Sequence, residues 1–151
     1  MSVFVNKAEI TDAEIGQEMQ YHPAPSQERA WQLAAQSLVI RQLLLQQAAS
    51  NGLCKDSDSI TPPEREEKLI DQLLERDVVV PEADEATCRR FYDNHPNSFT
   101  DDKTGERFSF ELAHANIRDY LHTKAMRIAV AEYIKALSYN ADIRGFELEN
   151  L

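Results

Sequence analysis

The chain is poor in glycine, poor in cysteine and free of long apolar runs. Its 151 residues include 4 Gly. An all-β protein needs glycine at many of its turns, so the scarcity favours long helices joined by few connections. Gly16, Gly52, Gly105 and Gly145 are scattered, which excludes a Gly-rich phosphate-binding loop. No Gly-x-Ser-x-Gly elbow is present either. Cys54 and Cys88 have no second Cys or His at zinc-finger spacing. They read as ordinary thiols in a reducing compartment, with a disulfide as the alternative. Apolar runs such as Leu43-Leu44-Leu45 are far too short to span a bilayer. Met1 to Asn6 lacks both a basic start and a long apolar stretch, which predicts no secretory leader and a cytoplasmic location.

Positive charge is also scarce. Lys and Arg total 16 against 26 Asp and Glu, a net charge of −10. Such a chain repels phosphate backbones, and no Lys/Arg cluster offsets this, so neither nucleic acid nor a membrane is the expected partner. The balance does suit basic polypeptide clients.

What is present suits a packed helical domain. Apolar residues make up 42% and charged residues 28% of the chain, enough for a core under a wet surface, and the length fits one domain over 1–151. Val3-Phe4-Val5 is a short β-prone run. Thr11-Asp12-Ala13-Glu14 has the form of a capping box and opens a short helix to about Tyr21, ended by Pro23 and Pro25. Ser26 caps a helix over Gln27 to Ser50 that stops at Asn51-Gly52. Its apolar positions are Trp31, Ala34, Ala35, Leu38, Leu45 and Ala48, widened by Leu33, Ile40, Leu43 and Leu44; so wide a face implies more than one neighbour.

Thr61-Pro62-Pro63-Glu64 forms a second capping box for a helix to about Arg76, with Leu69, Ile70, Leu73 and Leu74 on its apolar side. Val78-Val79-Val80-Pro81 is an extended connector. A helix over Glu82 to Asn94 should bury Ala86, Phe91 and Tyr92 and stop at His95-Pro96-Asn97. After a polar loop at Thr100 to Arg107, Ser109 caps the longest helix, Phe110 to Tyr139. Ile143 to Leu148 reads as a closing strand. A lone strand leaves its backbone unpaired, so Val3 to Val5 should pair with it. The predicted fold is all-α: an orthogonal bundle of about five helices, with a two-stranded ribbon joining the N- and C-terminal segments.

Catalytic chemistry is hard to find. His114 and His122 lie two turns apart on one helix, about 12 Å along its axis, too far to share one metal without help from other elements. The carboxylates fall on polar helix faces. No catalytic residue, no metal site and no cofactor is assigned. The surplus of apolar positions instead suggests contact with another polypeptide, through Trp31, Leu38 and Leu45 together with Leu69 and Leu73.

The order of segments adds to this reading. Val5-Asn6-Lys7-Ala8-Glu9-Ile10-Thr11 resembles the "Val-Asn-Gly-x-x-Ile-Thr, then helix" opening of SurA-type and NifM-type proteins, with Lys7 where that opening usually has Gly. The Gln- and Leu-rich stretch Leu38 to Gln47 is similar to the same family. So is Pro81 to Phe99, especially Arg89-Arg90-Phe91-Tyr92-Asp93-Asn94-His95-Pro96 and the closing Phe99, as is the helix from Ser109-Phe110-Glu111 through Tyr120-Leu121 to Tyr133-Ile134. The resemblance implies a peptide-binding chaperone domain of the kind that accompanies parvulin prolyl isomerases. Its client would be an unfolded or partly folded polypeptide; NifM-like members assist a metalloenzyme partner. In that family the parvulin domain follows Phe99. Here only Thr100 to Arg107 separates Phe99 from Phe108, so the isomerase domain is absent and none of its catalytic residues carries over. Two alternatives remain open. One is an oligomerising module, such as a homodimer exchanging the about 45 Å helix Phe110 to Tyr139. The other is a residual prolyl isomerase.

Overall fold

A computed structural model describes residues 2–53 and 63–149. Cys54, Thr61 and Pro62 lie outside the described residues, and with them the possible disulfide and the first half of the second capping box. The chain is mainly all-α, with five α-helices among the described residues and a small antiparallel sheet built from its N- and C-terminal segments. It divides into two compact units. One comprises Met1–Val78 with Val130–Leu151, the other Val79–Ala129.

The first unit opens with a hairpin, β1 (Val3–Val5) and β2 (Ala8–Ile10), pairing Val3 with Ile10 and Val5 with Ala8. The closing strand β3 (Ile143–Arg144) pairs with the other side of β1, Phe4 opposite Arg144 and Val5 opposite Ile143. The expected pairing of the terminal segments is present, but the sheet has three strands in the order β2-β1-β3 rather than two. β3 is also shorter than the strand expected over Ile143 to Leu148. The extra strand follows from the turn. Asn6 and Lys7 both take positive φ, 49° and 74°, the conformation a two-residue hairpin needs at both central positions. Without glycine in the turn, and with only three residues per strand, the hairpin carries a weak signal.

Thr11 caps α1 (Asp12–Glu18) through the full reciprocal box: its hydroxyl accepts from Glu14 N at 3.2 Å, and Glu14 Oε2 accepts from Thr11 N at 3.0 Å. A 3-10 turn, Met19–Tyr21, extends it. Ser26 caps α2 (Gln27–Ser50), its hydroxyl accepting from Arg29 N at 3.1 Å. The helix ends at Asn51, followed by Gly52 with φ +77°. α3 spans Pro63–Asp77.

The wide face of α2 serves several neighbours, as its width requires. Ala34, Ala35, Val39 and Leu43 pack with Val3, Val5, Ile10 and Ile15. Further round the helix, Leu44 and Ala48 pack with Leu73 and Ile134. The centre of burial therefore falls on Val39 and Leu43. Trp31, Leu38 and Leu45 sit at the margins of the face and stay half-buried.

The second unit is built from α4 (Glu85–Asn94), a 3-10 turn at Pro96–Phe99, and the Phe110–Ala129 portion of α5 (Phe110–Tyr139). α4 begins three residues later than Glu82 because Asp84 accepts from Thr87 N at 2.8 Å and caps it there. That shift overturns one expectation: Ala86 is exposed, while Cys88 and Ala83 take the inward positions. Cys88, Phe110, Ala113 and Ile117 form the core, flanked by Phe91, Tyr92, Phe99 and Leu121. No helix among the described residues is long and apolar enough to cross a membrane.

Candidate functional site

The five residues expected to touch a client have different fates. Leu73 is wholly buried and Leu69 retains 7% of its surface. Both belong to the core of the first unit, and a side chain without accessible surface cannot hold a partner. The helix face of α3 is consumed by packing, so these two leave the candidate set. Trp31, Leu38 and Leu45 remain accessible, because they border the buried face of α2 instead of occupying its centre.

Leu38 and Leu45 are seven residues apart, two helical turns, and so lie above one another along the axis. Both line a groove of about 390 Å³ whose other walls are β2, α1, the Met19–Tyr21 turn and the start of α3. Tyr21, 69% exposed, adds apolar surface to it, while Ile10 beside it is buried in the core. The rim carries Glu9, Glu14, Glu18, Glu66 and Arg41. Arg41 is engaged with Glu66, Nε to Oε2 at 2.7 Å. Glu18 meets His22 Nε2 at 3.2 Å, and Glu9 accepts from the Ser2 hydroxyl at 2.7 Å.

Trp31 lies in a separate groove of about 340 Å³, between α2 and the segment after β3. Its ring tilts against Phe146, with centroids 6.1 Å apart. Glu149 N donates to Gln36 Oε1 at 3.1 Å and holds this tail along α2. Here the chain's own Phe146 packs on the Trp31 ring. The two grooves are thus distinct: the sequence-derived set of contact residues is divided between them and the core.

The segment Arg89 to Phe99 is a packing device in the second unit. The Arg89 guanidinium lies 4.2 Å from the centre of the Phe110 ring, and Arg107 lies at the same distance over Tyr92. Phe91 stacks on His95 at 4.1 Å. Tyr92 packs on Phe99 at 5.1 Å and donates its hydroxyl hydrogen to Phe108 O. The polar loop at Thr100 to Arg107 is a closed hairpin: Thr100 bridges Arg107, Asp101 N donates to Glu106 O at 2.8 Å, and Phe108 N donates to Phe99 O at 2.7 Å. The two ends of this loop therefore lie side by side.

Among the described residues no group of three or more His, Cys, Asp or Glu side chains converges as a metal site would require. Cys88 is buried, and burial pushes its thiol up from the ordinary value, the opposite of an activated nucleophile. His114 stacks on Phe110 at 4.8 Å.

Sequence reasoning missed one class of accessible residue. Leu112, Tyr120 and Ile128 on α5 are 70%, 52% and 56% exposed. Each is eight residues from the next, an 80° rotation on a 3.6-residue helix, so they wind around the helix and share no single stripe. A count of apolar residues cannot separate such positions from core. Comparison with protein-family models, with curated proteins and with solved structures finds no match to the chain.

Proposed function

We propose that the chain is a peptide-binding chaperone module of the SurA/NifM type, holding an extended segment of an unfolded or partly folded client, with no cofactor and no chemistry of its own. The observation that carries the reading is the groove over α2, where Leu38 and Leu45 offer apolar surface between polar walls. The lining is mainly polar, with Leu38 and Leu45 as an apolar strip along it, and such a mixed surface suits reversible contact with a chain that carries both kinds of side chain. The closed hairpin between Phe99 and Phe108 adds support: a domain inserted there would have two adjacent points of attachment, as the parvulin domain of SurA-type proteins would need. A metalloenzyme client, as for NifM-like proteins, belongs to this proposal through the resemblance alone. The test is light scattering by an unfolding client with equimolar chain added at moderate salt. Delayed aggregation agrees with the reading. Aggregation at the uninhibited rate over a range of clients removes it.

A second reading, a self-associating module in which two chains exchange α5, draws on the length of that helix, Phe110–Tyr139. A sharp monomer by light scattering at high concentration counts against it.

A further inference from the structure

We infer that the groove over α2 selects extended segments rich in lysine and arginine, and that such a segment docks by adding a strand beside β2. This rests on the peptide-binding reading above and names the class of peptide. Two independent features carry it.

The first is charge. Four carboxylates, Glu9, Glu14, Glu18 and Glu66, face one guanidinium, Arg41, around a groove floored by Leu38 and Leu45. Three negative charges remain in excess. Glu14 spends one carboxylate oxygen on the Thr11 cap and Glu18 meets His22, and Arg41 is the one Lys or Arg side chain among the described lining residues. A segment with alternating apolar and cationic side chains matches both the floor and the rim.

The second is an edge of the sheet that no strand among the described residues covers. β1 lies between β2 and β3, so β2 is an edge strand. In a two-residue hairpin the flanking pair, Val5 and Ala8, exchanges both hydrogen bonds, and the alternation of an antiparallel ladder turns the next pair outward. The β3 side agrees with that phase: Asn6 N donates to Asp142 O at 2.8 Å, which makes Phe4 and Arg144 the next bonded pair. The N–H and C=O of Glu9 therefore point away from β1, along the edge where Glu9 and Ile10 line the groove. An extended peptide satisfies those two groups by strand addition, with alternate side chains falling toward Leu38 and Leu45.

Three fluorescent peptides of about 12 residues test this, with identical leucine content and three lysines, three serines or three glutamates between the leucines. The lysine peptide should bind about tenfold tighter than the glutamate peptide at low salt, the gap closing at high salt. The double variant Glu9→Lys/Glu18→Lys, checked for an unchanged circular dichroism melt, should reverse that order. On the unaltered protein, the lysine peptide should slow hydrogen exchange at the Glu9 amide. Equal binding of all three peptides, with client aggregation still suppressed, overturns the charge selection and leaves the chaperone reading standing. An unprotected Glu9 amide at saturating peptide overturns the strand addition. No binding by any peptide and no suppression of aggregation removes both.

Discussion

Asn6 and Asp142 clasp each other across almost the whole chain: Asn6 N donates to Asp142 O at 2.8 Å, and Asp142 N donates to Asn6 Oδ1 at 2.7 Å. The same Asn6 side chain donates from Nδ2 to Gln46 Oε1 at 2.9 Å, and Gln46 Nε2 donates to Val5 O at 2.9 Å. One residue thus joins the N-terminal hairpin, α2 and the closing strand. Asparagine suits the position because it tolerates φ 49° at a hairpin turn and still offers an acceptor and a donor. Replacement by alanine removes both side-chain bonds and places a less tolerant residue at positive φ. A loss of about 1–2 kcal/mol in denaturant titration is expected, with faster amide exchange at Asp142.

Lys7 is the strained partner in that turn, at φ 74°. Lys7→Gly should relieve the left-handed penalty and raise stability by up to about 1 kcal/mol, after the entropy cost of glycine. A rise in the urea midpoint at constant slope checks it. An unchanged or lowered midpoint argues against strain at Lys7.

Gly145 follows β3 with φ +83°, and a Cβ built there would stand 2.8 Å from Ser2 O. Both conformation and space exclude a side chain. Gly145→Ala should destabilise the chain by about 2 kcal/mol or more, with loss of the β1–β3 pairing detected by exchange at Arg144. Gly16, which has nothing within 4 Å of an added Cβ and sits inside α1, is the control: Gly16→Ala should stabilise by about 0.5–1 kcal/mol.

Much of this architecture is legible in the sequence, and the reasons are local. Thr11 with Glu14, Ser26 and Ser109 are helix starts written in side-chain hydrogen bonds, and Asn51-Gly52 is a stop written in the positive φ of Gly52, so α1, α2 and α5 begin, and α2 ends, where the sequence places them. Ala86 is misplaced because a start at Glu82 overlooks the Asp84 cap, which begins the helix at Glu85 and leaves Cys88 facing the core. The site is less legible. Leu38 and Leu73 are both leucines on an apolar helix face. Whether each ends up as groove floor or core depends on what packs opposite, and periodicity carries no record of that. Glu9 is invisible as an edge group because its three-residue strand, turned without glycine, leaves no pattern to read.

Tyr133 predicts the alkaline behaviour. Burial, then the hydrogen bond from its hydroxyl to Asp77 Oδ2 at 2.6 Å, pushes its phenol far above the usual value of 10.0. In the unfolded chain the phenol releases its proton near that usual value while the folded chain still holds it. Above it the unfolded state binds fewer protons, so stability is full below about pH 10 and falls as pH rises further. Tyr133→Phe should flatten that fall in thermal melts taken across the alkaline range. A fall of equal steepness in the variant would place its origin elsewhere.

The most direct test of client holding is site-specific photo-crosslinking. A benzophenone amino acid placed at Leu45, on the groove floor, should capture an unfolding client. The same group at Tyr139, exposed on the last turn of α5 and outside that groove, should capture little. Efficient capture from position 45 alone, abolished by an excess of unlabelled peptide, is the predicted result. Capture from neither position, or equally from both and indifferent to competing peptide, would contradict the groove as the place where this chain holds its client.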